Sequence, residues 1–148
     1  MIVYTTGFTQ KTAEFFFEQL KGKNIDLLID IRLNNKSQLA GFTKEKDLKY
    51  FLKELAKISY AHDTTFAPTE ELLKDYQKKR ISWEEYKDIF NDLMRKRDIE
   101  KHFIEKYSQR KGNICLMCSE LSSENCHRKL VTDYLTESLG GEIQVVHL

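Results

Sequence analysis

Residues 114–135 read ICLMCSELSSENCHRKLVTDYL, and the fold predicted for the whole chain is built outward from this stretch. Its first five residues are an apolar run with the length of a buried strand, and a polar turn follows them. Beyond Cys126 the apolar residues recur at helical spacing, at Leu130, Val131, Tyr134 and Leu135. The stretch therefore predicts a strand, a loop and a helix. At such a junction the carboxyl end of the strand and the amino end of the helix share one crevice, where unpaired N–H groups favour an anion.

The rest of the chain predicts four more strands, at residues 2–6, 25–31, 58–62 and 142–148. Helices are predicted between them, beginning at Thr12, Thr43, Thr69, Ser82 and Asp98, and residues 33–42 are predicted to be a loop. The helix after Thr43 is expected to bury one apolar face made of Leu48, Phe51, Leu52 and Leu55. Strands that alternate with helices indicate an α/β fold with a mainly parallel sheet of about five strands, covered on both faces.

The length of 148 residues predicts one domain, residues 1–148. Within it, residues 64–111 contain no good strand, and we expect a helical insertion that covers an edge or mouth of the sheet. Hydrophobic residues make up 41% of the chain and charged residues 32%, which excludes a disordered or collagen-like protein. The net charge of +1 gives no global reason to expect a nucleic acid or an acidic membrane as partner.

No stretch approaches the ~18 apolar residues of a membrane span, and the first residues, MIVYTTGF, do not form a signal peptide. We therefore expect a cytoplasmic protein without a membrane partner. The three cysteines all lie between residues 115 and 126, which is not the arrangement of a secreted disulfide scaffold. Reduced thiols are predicted.

Polar and ionisable residues follow four of the predicted strands. Because ligands of open parallel sheets bind outside the carboxyl ends of the strands, we expect these residues to share one rim. They are Thr6, Gly7 and Thr9 after the first strand, Asp30 and Arg32 at the second, His62 and Asp63 at the third, and Glu120 after the fourth, joined by Cys126, His127 and Arg128 at the start of the last helix.

These residues also carry a resemblance to a family, and it spans nearly the whole chain. The segments are TTGFT after the first strand, IDIR at the second, Tyr60-x-His62 at the third, CSEL followed by CHR, and a closing VVHL. Together they resemble the family called domain of unknown function 488. The resemblance implies a small Rossmann-like α/β protein. It places the family's motif positions on Gly7, Asp30, Arg32, Tyr60, His62, Cys118, Glu120, Cys126, His127 and Arg128.

The sequence departs from the family pattern at two places. Phe8 stands where a histidine is common in the family, and Thr9 replaces a serine. After His62 many members have a Leu-Gly-Gly stretch, whereas this chain continues with DTTFAP. A mechanism that needs the histidine is not available here, and the loop over the site is expected to differ.

For the two arginines of the rim, two interpretations stand. Arg32 and Arg128 can offer paired donors to a phosphate or carboxylate, with Gly7, Thr9, Tyr60, Cys126 and His127 as further candidates for ligand binding. Alternatively Arg32 pairs with Asp30, and Arg128 with Glu120, to hold the loops in place.

For catalysis, Glu120 is the preferred candidate. Glu120 and Asp30 can act as general base and water-positioning group, with His62 as proton donor. The alternative is that His62 and Glu120 only satisfy backbone groups. We therefore expect a phosphate-bearing ligand, either a nucleotide or a nucleic-acid end, and possible hydrolytic or glycosyl-transfer chemistry; the other hypothesis is a binding module without catalysis.

The cysteines allow a third hypothesis. Cys126 at a helix start can be a nucleophile, or simply a small buried residue that packs the helix on the sheet. Cys118, Cys126 and His127 can also bind zinc, with Cys115 or His62 as fourth ligand. Cys115 and Cys118 are three residues apart, however, so a strand points them to opposite faces. No cofactor is predicted, and the third hypothesis is a zinc or redox site at these cysteines.

Several clusters of lysine and arginine are candidates for contact with a nucleic-acid backbone. They are Lys44, Lys46, Lys49, Lys53 and Lys57, then Lys78, Lys79 and Arg80, and finally Arg95, Lys96 and Arg97. Acidic residues are interleaved with them, which is also typical of a solvated helix face. The sequence makes no prediction of the oligomeric state.

Overall fold

The structure, a computed structural model, describes residues 1–36 and 40–148. Five strands form one sheet in the order β3-β2-β4-β1-β5, and every neighbouring pair is parallel. The strands are β1 (Ile2–Gly7), β2 (Ile25–Asp30), β3 (Ser59–His62), β4 (Asn113–Cys118) and β5 (Gln144–His147). This confirms the predicted α/β, Rossmann-like class with a five-stranded parallel sheet.

In the described part of the chain, six α-helices surround the sheet. They are α1 (Ala13–Leu20), α2 (Glu45–Phe51), α3 (Glu70–Gln77), α4 (Trp83–Lys96), α5 (Ile99–Tyr107) and α6 (His127–Ser138). Short 3-10 turns lie at Gly41–Thr43 and Thr64–Phe66, and a π-helical turn at Leu52–Ala56 extends α2. The predicted caps at Thr12, Thr69 and Ser82 are confirmed, because each side chain accepts a hydrogen bond from the first turn of its helix.

Two predictions about helix ends were wrong. Thr43 does not cap α2; it closes the preceding 3-10 turn, and its hydroxyl donates to the Ala40 carbonyl at 2.8 Å. Asp98 stands directly before α5 but makes no capping bond. Its φ of 50° puts the backbone in the left-handed region, whereas a capping side chain usually extends from an extended backbone.

Leu55 is the third correction. It was predicted to share the buried face of the second helix, but it is 50% exposed. The π-helical turn at Leu52–Ala56 is wider than an α-helical turn, so residues after Leu52 no longer follow the 3.6-residue period from which the buried face was predicted. The loop predicted at 33–42 includes residues 37–39, which lie outside the described residues.

The sheet divides the core into two layers because alternate strand residues point to opposite faces. On one face, α1 and α2 pack against Cys115 and Met117 of β4. On the other, α3 to α6 pack against Ile114, Leu116 and Cys118. The helical insertion therefore packs on this face of the sheet, in the same core layer as α6.

Within residues 1–36 and 40–148, no helix combines the length and the apolar character that crossing a membrane requires.

Candidate functional site

The carboxyl ends of β2 and β4 frame a crevice. These strands are neighbours, but the chain leaves β2 toward α2 on one face of the sheet and leaves β4 toward α6 on the other. In an open parallel sheet, the gap between two such exits is the usual place for a ligand. Here it has a volume of about 210 Å³. Its polar lining includes Arg32, Asn34, Gln77, Ser119, Glu120 and His127.

Asp30 and Arg32 form a buried ion pair at the end of β2. Asp30 Oδ1 accepts hydrogen bonds from Arg32 Nε at 2.9 Å and from its backbone N at 3.1 Å. Asp30 Oδ2 accepts from Arg32 Nη2 and from the Tyr60 hydroxyl, both at 2.7 Å. The internal ion pair that the sequence left as an alternative is therefore present. Four donors already occupy the Asp30 carboxylate, so this geometry gives it a positioning role rather than the predicted part in catalysis.

One guanidinium nitrogen of Arg32 has no hydrogen-bond partner among the described residues. Its Nη2 also donates to the Thr43 carbonyl at 2.7 Å, and the ring of Phe8 lies over the guanidinium, 5.0 Å from Cζ to the ring centroid. Nη1 is buried and has no hydrogen-bond partner in the part of the chain that the structure describes. A buried donor without a partner costs free energy, so Nη1 of Arg32 is a candidate donor to an acceptor atom of a ligand. Phe8 holds the guanidinium from one side, in the place where the family commonly has a histidine.

Two histidines fix the backbone that leaves β2. His62 Nε2 lies 2.7 Å from the Arg32 carbonyl, and His127 Nε2 lies 2.9 Å from the Ile31 carbonyl. A carbonyl oxygen only accepts, so Nε2 is the protonated nitrogen of each ring and Nδ1 of a neutral ring is an acceptor. Burial and, to a smaller extent, the charge of Arg128 lower the pKa of His127 to about 4, despite its bond to the Ile31 carbonyl. His127 is therefore neutral at pH 7.

Glu120 lies on the wall of the crevice with an exposed side chain. Its carboxylate forms no salt bridge or hydrogen bond within the described residues, and it stays the best candidate for a general base. Arg128 contacts Glu120 as the alternative from the sequence expected, but it does not pair with the carboxylate. Arg128 Nη1 donates instead to the backbone carbonyl of Glu120.

Arg128 acts as an internal anchor of the loop after β4. It is only 1% exposed. Besides the Glu120 carbonyl, it donates to the Leu121 carbonyl at 3.1 Å and to Cys118 Sγ at 3.1 Å. Arg128 is not among the residues that line the crevice, so this arrangement favours a structural role over the predicted contact with a ligand.

Three more of the predicted ligand-binding residues make contacts within the protein that hold the segments around the crevice. They are Gly7, Thr9 and Tyr60. A Cβ at Gly7 would overlap the carbonyl group of Glu120, so glycine lets β1 approach the loop after β4. Thr9 donates its hydroxyl to the Ser119 carbonyl at 2.5 Å. Tyr60 bonds to Asp30 and accepts from Asn35 Nδ2 at 3.1 Å. Burial and the adjacent Asp30 raise the pKa of Tyr60. The hydrogen bonds of Thr9 and Tyr60 are therefore made within the protein.

The two cysteines nearest the crevice lie together. Cys118 Sγ and Cys126 Sγ are 2.8 Å apart, and with a ring nitrogen of His127 they form a cluster whose atoms all lie within 4.8 Å of one another. Such a cluster could hold a metal ion. Cys115 was a wrong choice as fourth ligand, because it lies in the core on the opposite face of the sheet, and His62 Nε2 is bonded to Arg32. Three ligands are fewer than a structural zinc site uses.

Sequence reasoning missed three polar residues of the crevice, which are Asn34, Gln77 and Ser119. Ser119 directly follows β4, and Asn34 lies in the segment that leaves β2, so their position after a strand end was a usable signal. Gln77 ends α3 in the helical insertion, and no local pattern connects it to residues 32 or 120. Only the packing of the insertion onto the sheet brings it to the site.

Comparison with known proteins agrees with the motifs on which this site is built. The family model described as Domain of unknown function DUF488 matches residues 12–135, which includes both crevice-forming strand ends and the whole helical insertion. Searches against curated proteins and against solved structures gave no match. On the family match, this chain belongs to the DUF488 family.

Proposed function

We propose that this protein binds a phosphate-bearing ligand, a nucleotide or a nucleic-acid end, in the crevice between β2 and β4. The observation that carries the proposal is Arg32, which is 4% exposed, held in place by Asp30, and has Nη1 without a partner among the residues described. A fixed guanidinium with free N–H groups suits a phosphate oxygen because charge-assisted hydrogen bonds are the strong ones.

Glu120 extends this proposal to hydrolysis. Its carboxylate is exposed on the crevice wall and is not neutralised by a cation among the residues described, so it can accept a proton from a water held beside the ligand. His62 stays the candidate for the proton donor; because its Nε2–H is bonded to the Arg32 carbonyl, it would donate from Nδ1 of the doubly protonated ring. Asp30 serves by orienting Arg32.

A non-catalytic nucleic-acid-binding module is the second candidate, and one surface supports it. Among the described residues no salt bridge involves Lys46, Lys49, Lys53 or Lys57 of the second helix and its extension, whereas Lys87, Arg95 and Lys96 of α4 are all paired with acids. Unpaired lysines on one side of a molecule can follow a phosphate backbone, and their binding weakens with salt.

The test compares calorimetric titrations of a mononucleotide, a sugar phosphate and a short oligonucleotide into wild-type protein and variants. Arg32→Lys keeps the positive charge beside Asp30 but removes Nη1, and we expect binding to weaken about tenfold, which is about 1.4 kcal/mol. Arg110→Lys is the matched control, because Arg110 pairs with Asp26 near the opposite end of β2. Equal affinity of both variants and wild type would contradict the proposed site.

Hydrolysis is tested separately on the ligand that binds. We expect Glu120→Gln to lower turnover at least a hundredfold without changing affinity. Glu124→Gln, an exposed acid four residues along the same loop, should turn over at the wild-type rate. If Glu120→Gln also retains the wild-type rate, Glu120 is not the base. The second candidate is supported if the oligonucleotide is the only ligand that binds and it is not hydrolysed. The double variant Lys49→Glu with Lys53→Glu should then no longer bind it.

A further inference from the structure

We propose that Cys118 and Cys126 form a redox-active dithiol, in which Cys118 is the nucleophile toward a hydroperoxide and Cys126 is the thiol that resolves the oxidised product. Cys118 is the last residue of β4, and Cys126 immediately precedes α6. Asn125, with a φ of 50°, turns the chain so that the loop after β4 returns to its starting point. The two Sγ atoms thereby lie 2.8 Å apart. A disulfide bond of about 2.05 Å requires the sulfurs to approach by less than about 1 Å.

The surroundings of Cys118 favour its thiolate. Its sulfur accepts hydrogen bonds from Arg128 Nη1 at 3.1 Å, from the Cys126 thiol, and from the backbone N–H of Glu120. Burial alone would raise the pKa of Cys118, but these donors and the charge of Arg128 together hold it below its ordinary value. Cys126, which donates to Cys118 and is buried, has a raised pKa. A Cys118 thiolate, the Cys126 thiol and the Arg128 guanidinium would together be neutral, and the thiolate is the form that these hydrogen bonds stabilise.

This charge balance favours a dithiol over a metal site. Arg128 already places a cation against Cys118, and a divalent ion would have to share that sulfur with it. The cluster supplies only two thiols and one imidazole from the residues the structure describes. The dithiol also has an approach, because Cys118 belongs to the lining of the crevice of about 210 Å³, and a hydroperoxide is small enough to enter it.

The reaction balances without a cofactor. The Cys118 thiolate attacks one peroxide oxygen; an S–O bond forms, the O–O bond breaks, and the leaving hydroxide takes a proton from solvent to become water. Cys118 is now a sulfenic acid, and the peroxide has been reduced. Cys126 then attacks the Cys118 sulfur; an S–S bond forms, the S–O bond breaks, and the thiol proton leaves with the hydroxyl as a second water.

The test uses the full chain, reduced and freed of reductant, and then treated with one equivalent of hydrogen peroxide. Peptide mass spectrometry should find a disulfide between Cys118 and Cys126. In Cys126→Ser we expect a sulfenic acid at Cys118 that dimedone traps, and in Cys118→Ser neither product. Cys115→Ser is the matched control and should behave as wild type, because Cys115 is fully buried on the other face of the sheet. Burial raises the pKa of Cys115 to about 12.

Cys118 should be oxidised at least tenfold faster than Cys115 in the same molecule. This internal comparison does not depend on the stability of any variant. Oxidation of Cys118 no faster than that of Cys115 would overturn the proposal, as would disulfides formed only between two chains. One equivalent of zinc in the reduced protein, lost in both Cys118→Ser and Cys126→Ser, would also overturn it and make the cluster a metal site.

Discussion

At the scale of single residues, the crevice depends on close packing behind it. Gly7 ends β1, and its α-carbon faces the carbonyl group of Glu120 and Arg128 Nη1. Arg128 in turn holds the carbonyl groups of Glu120 and Leu121. One position without a side chain and one buried arginine therefore determine the path of the loop that carries Glu120.

Gly7→Ala tests this packing. The added methyl group would overlap the backbone of Glu120, which cannot move away as the end of a flexible side chain can. We expect the free energy of unfolding to fall by about 1–3 kcal/mol, as overpacking usually costs, measured by urea denaturation. Gly41→Ala is the control, since no described residue lies within 4 Å of a Cβ placed there. Equal free energies of unfolding for the two variants would contradict this packing, because the loop after β4 would then move aside at little cost in free energy.

At the scale of elements, capping residues define the helical insertion. Ser82 begins α4 with a complete capping box, in which its hydroxyl accepts from Glu85 N at 3.1 Å and Glu85 Oε1 accepts from Ser82 N at 3.3 Å. The buried face of α4, with Tyr86, Phe90 and Met94, then packs in the same core layer as α6. The start of α4 therefore positions a helix on which one side of the core depends.

Ser82→Ala removes one half of the capping box. We expect it to lower the free energy of unfolding by about 1 kcal/mol, because a backbone donor at the helix start loses its acceptor. Thermal unfolding followed by circular dichroism measures the change. The comparison variant is Ser138→Ala at the exposed end of α6, which should differ little from wild type. A Ser82→Ala variant as stable as Ser138→Ala would contradict the importance of this cap.

At the scale of the whole molecule, one buried carboxylate joins the insertion to the sheet. Asp63 follows β3, and its Oδ2 accepts hydrogen bonds from His102 at 2.8 Å, Lys106 at 3.0 Å and Tyr107 at 2.5 Å, all on α5. Burial opposes the charge of Asp63, but these bonds and one from the Thr65 backbone outweigh it and hold the pKa well below its usual range. The ionised form therefore stabilises the folded state.

The pH dependence of stability follows from this shift. The pKa of Asp63 is lower in the folded than in the unfolded chain, so its contribution is fully present above the ordinary carboxyl pKa and is lost as the pH falls below it. We expect Asp63→Asn to cost about 2 kcal/mol at pH 7, and to cost progressively less below about pH 4. Urea unfolding at several pH values measures both. Asp75→Asn is the control, because Asp75 is partly exposed. It should change little in the free energy of unfolding at pH 7 or in its dependence on pH. A cost that is independent of pH would contradict the role of the charge.

Much of the fold could be predicted from local patterns. The order of strands and helices followed from apolar periodicity, and Thr12, Thr69 and Ser82 marked helix starts because capping depends on residues within one turn. The errors at Leu55 and Asp98 have a different origin. A π-helical turn interrupts the 3.6-residue period before Leu55. Asp98 belongs to the end of α4, where its N–H donates to the Arg95 carbonyl and its backbone is left-handed, so its residue type alone wrongly indicated a cap.

The sequence placed most of the crevice residues after strand ends, but of their bonds it offered only the pair of Arg32 with Asp30 correctly. The sequence shows polar residues after the predicted strand ends, and parallel strands end at the same side of a sheet, so these residues were expected to share one rim. They are Asp30, Arg32, His62, Glu120 and the CHR segment. Which nitrogens of Arg32 and Arg128 lack a partner among the described residues, and which thiol lies beside Cys118, depends on contacts between distant segments, such as that of His127 with Ile31. The sequence by itself determined the elements and the rim, because both arise from neighbouring residues. Only the tertiary structure decided which polar groups satisfy one another and which are left to bind a ligand.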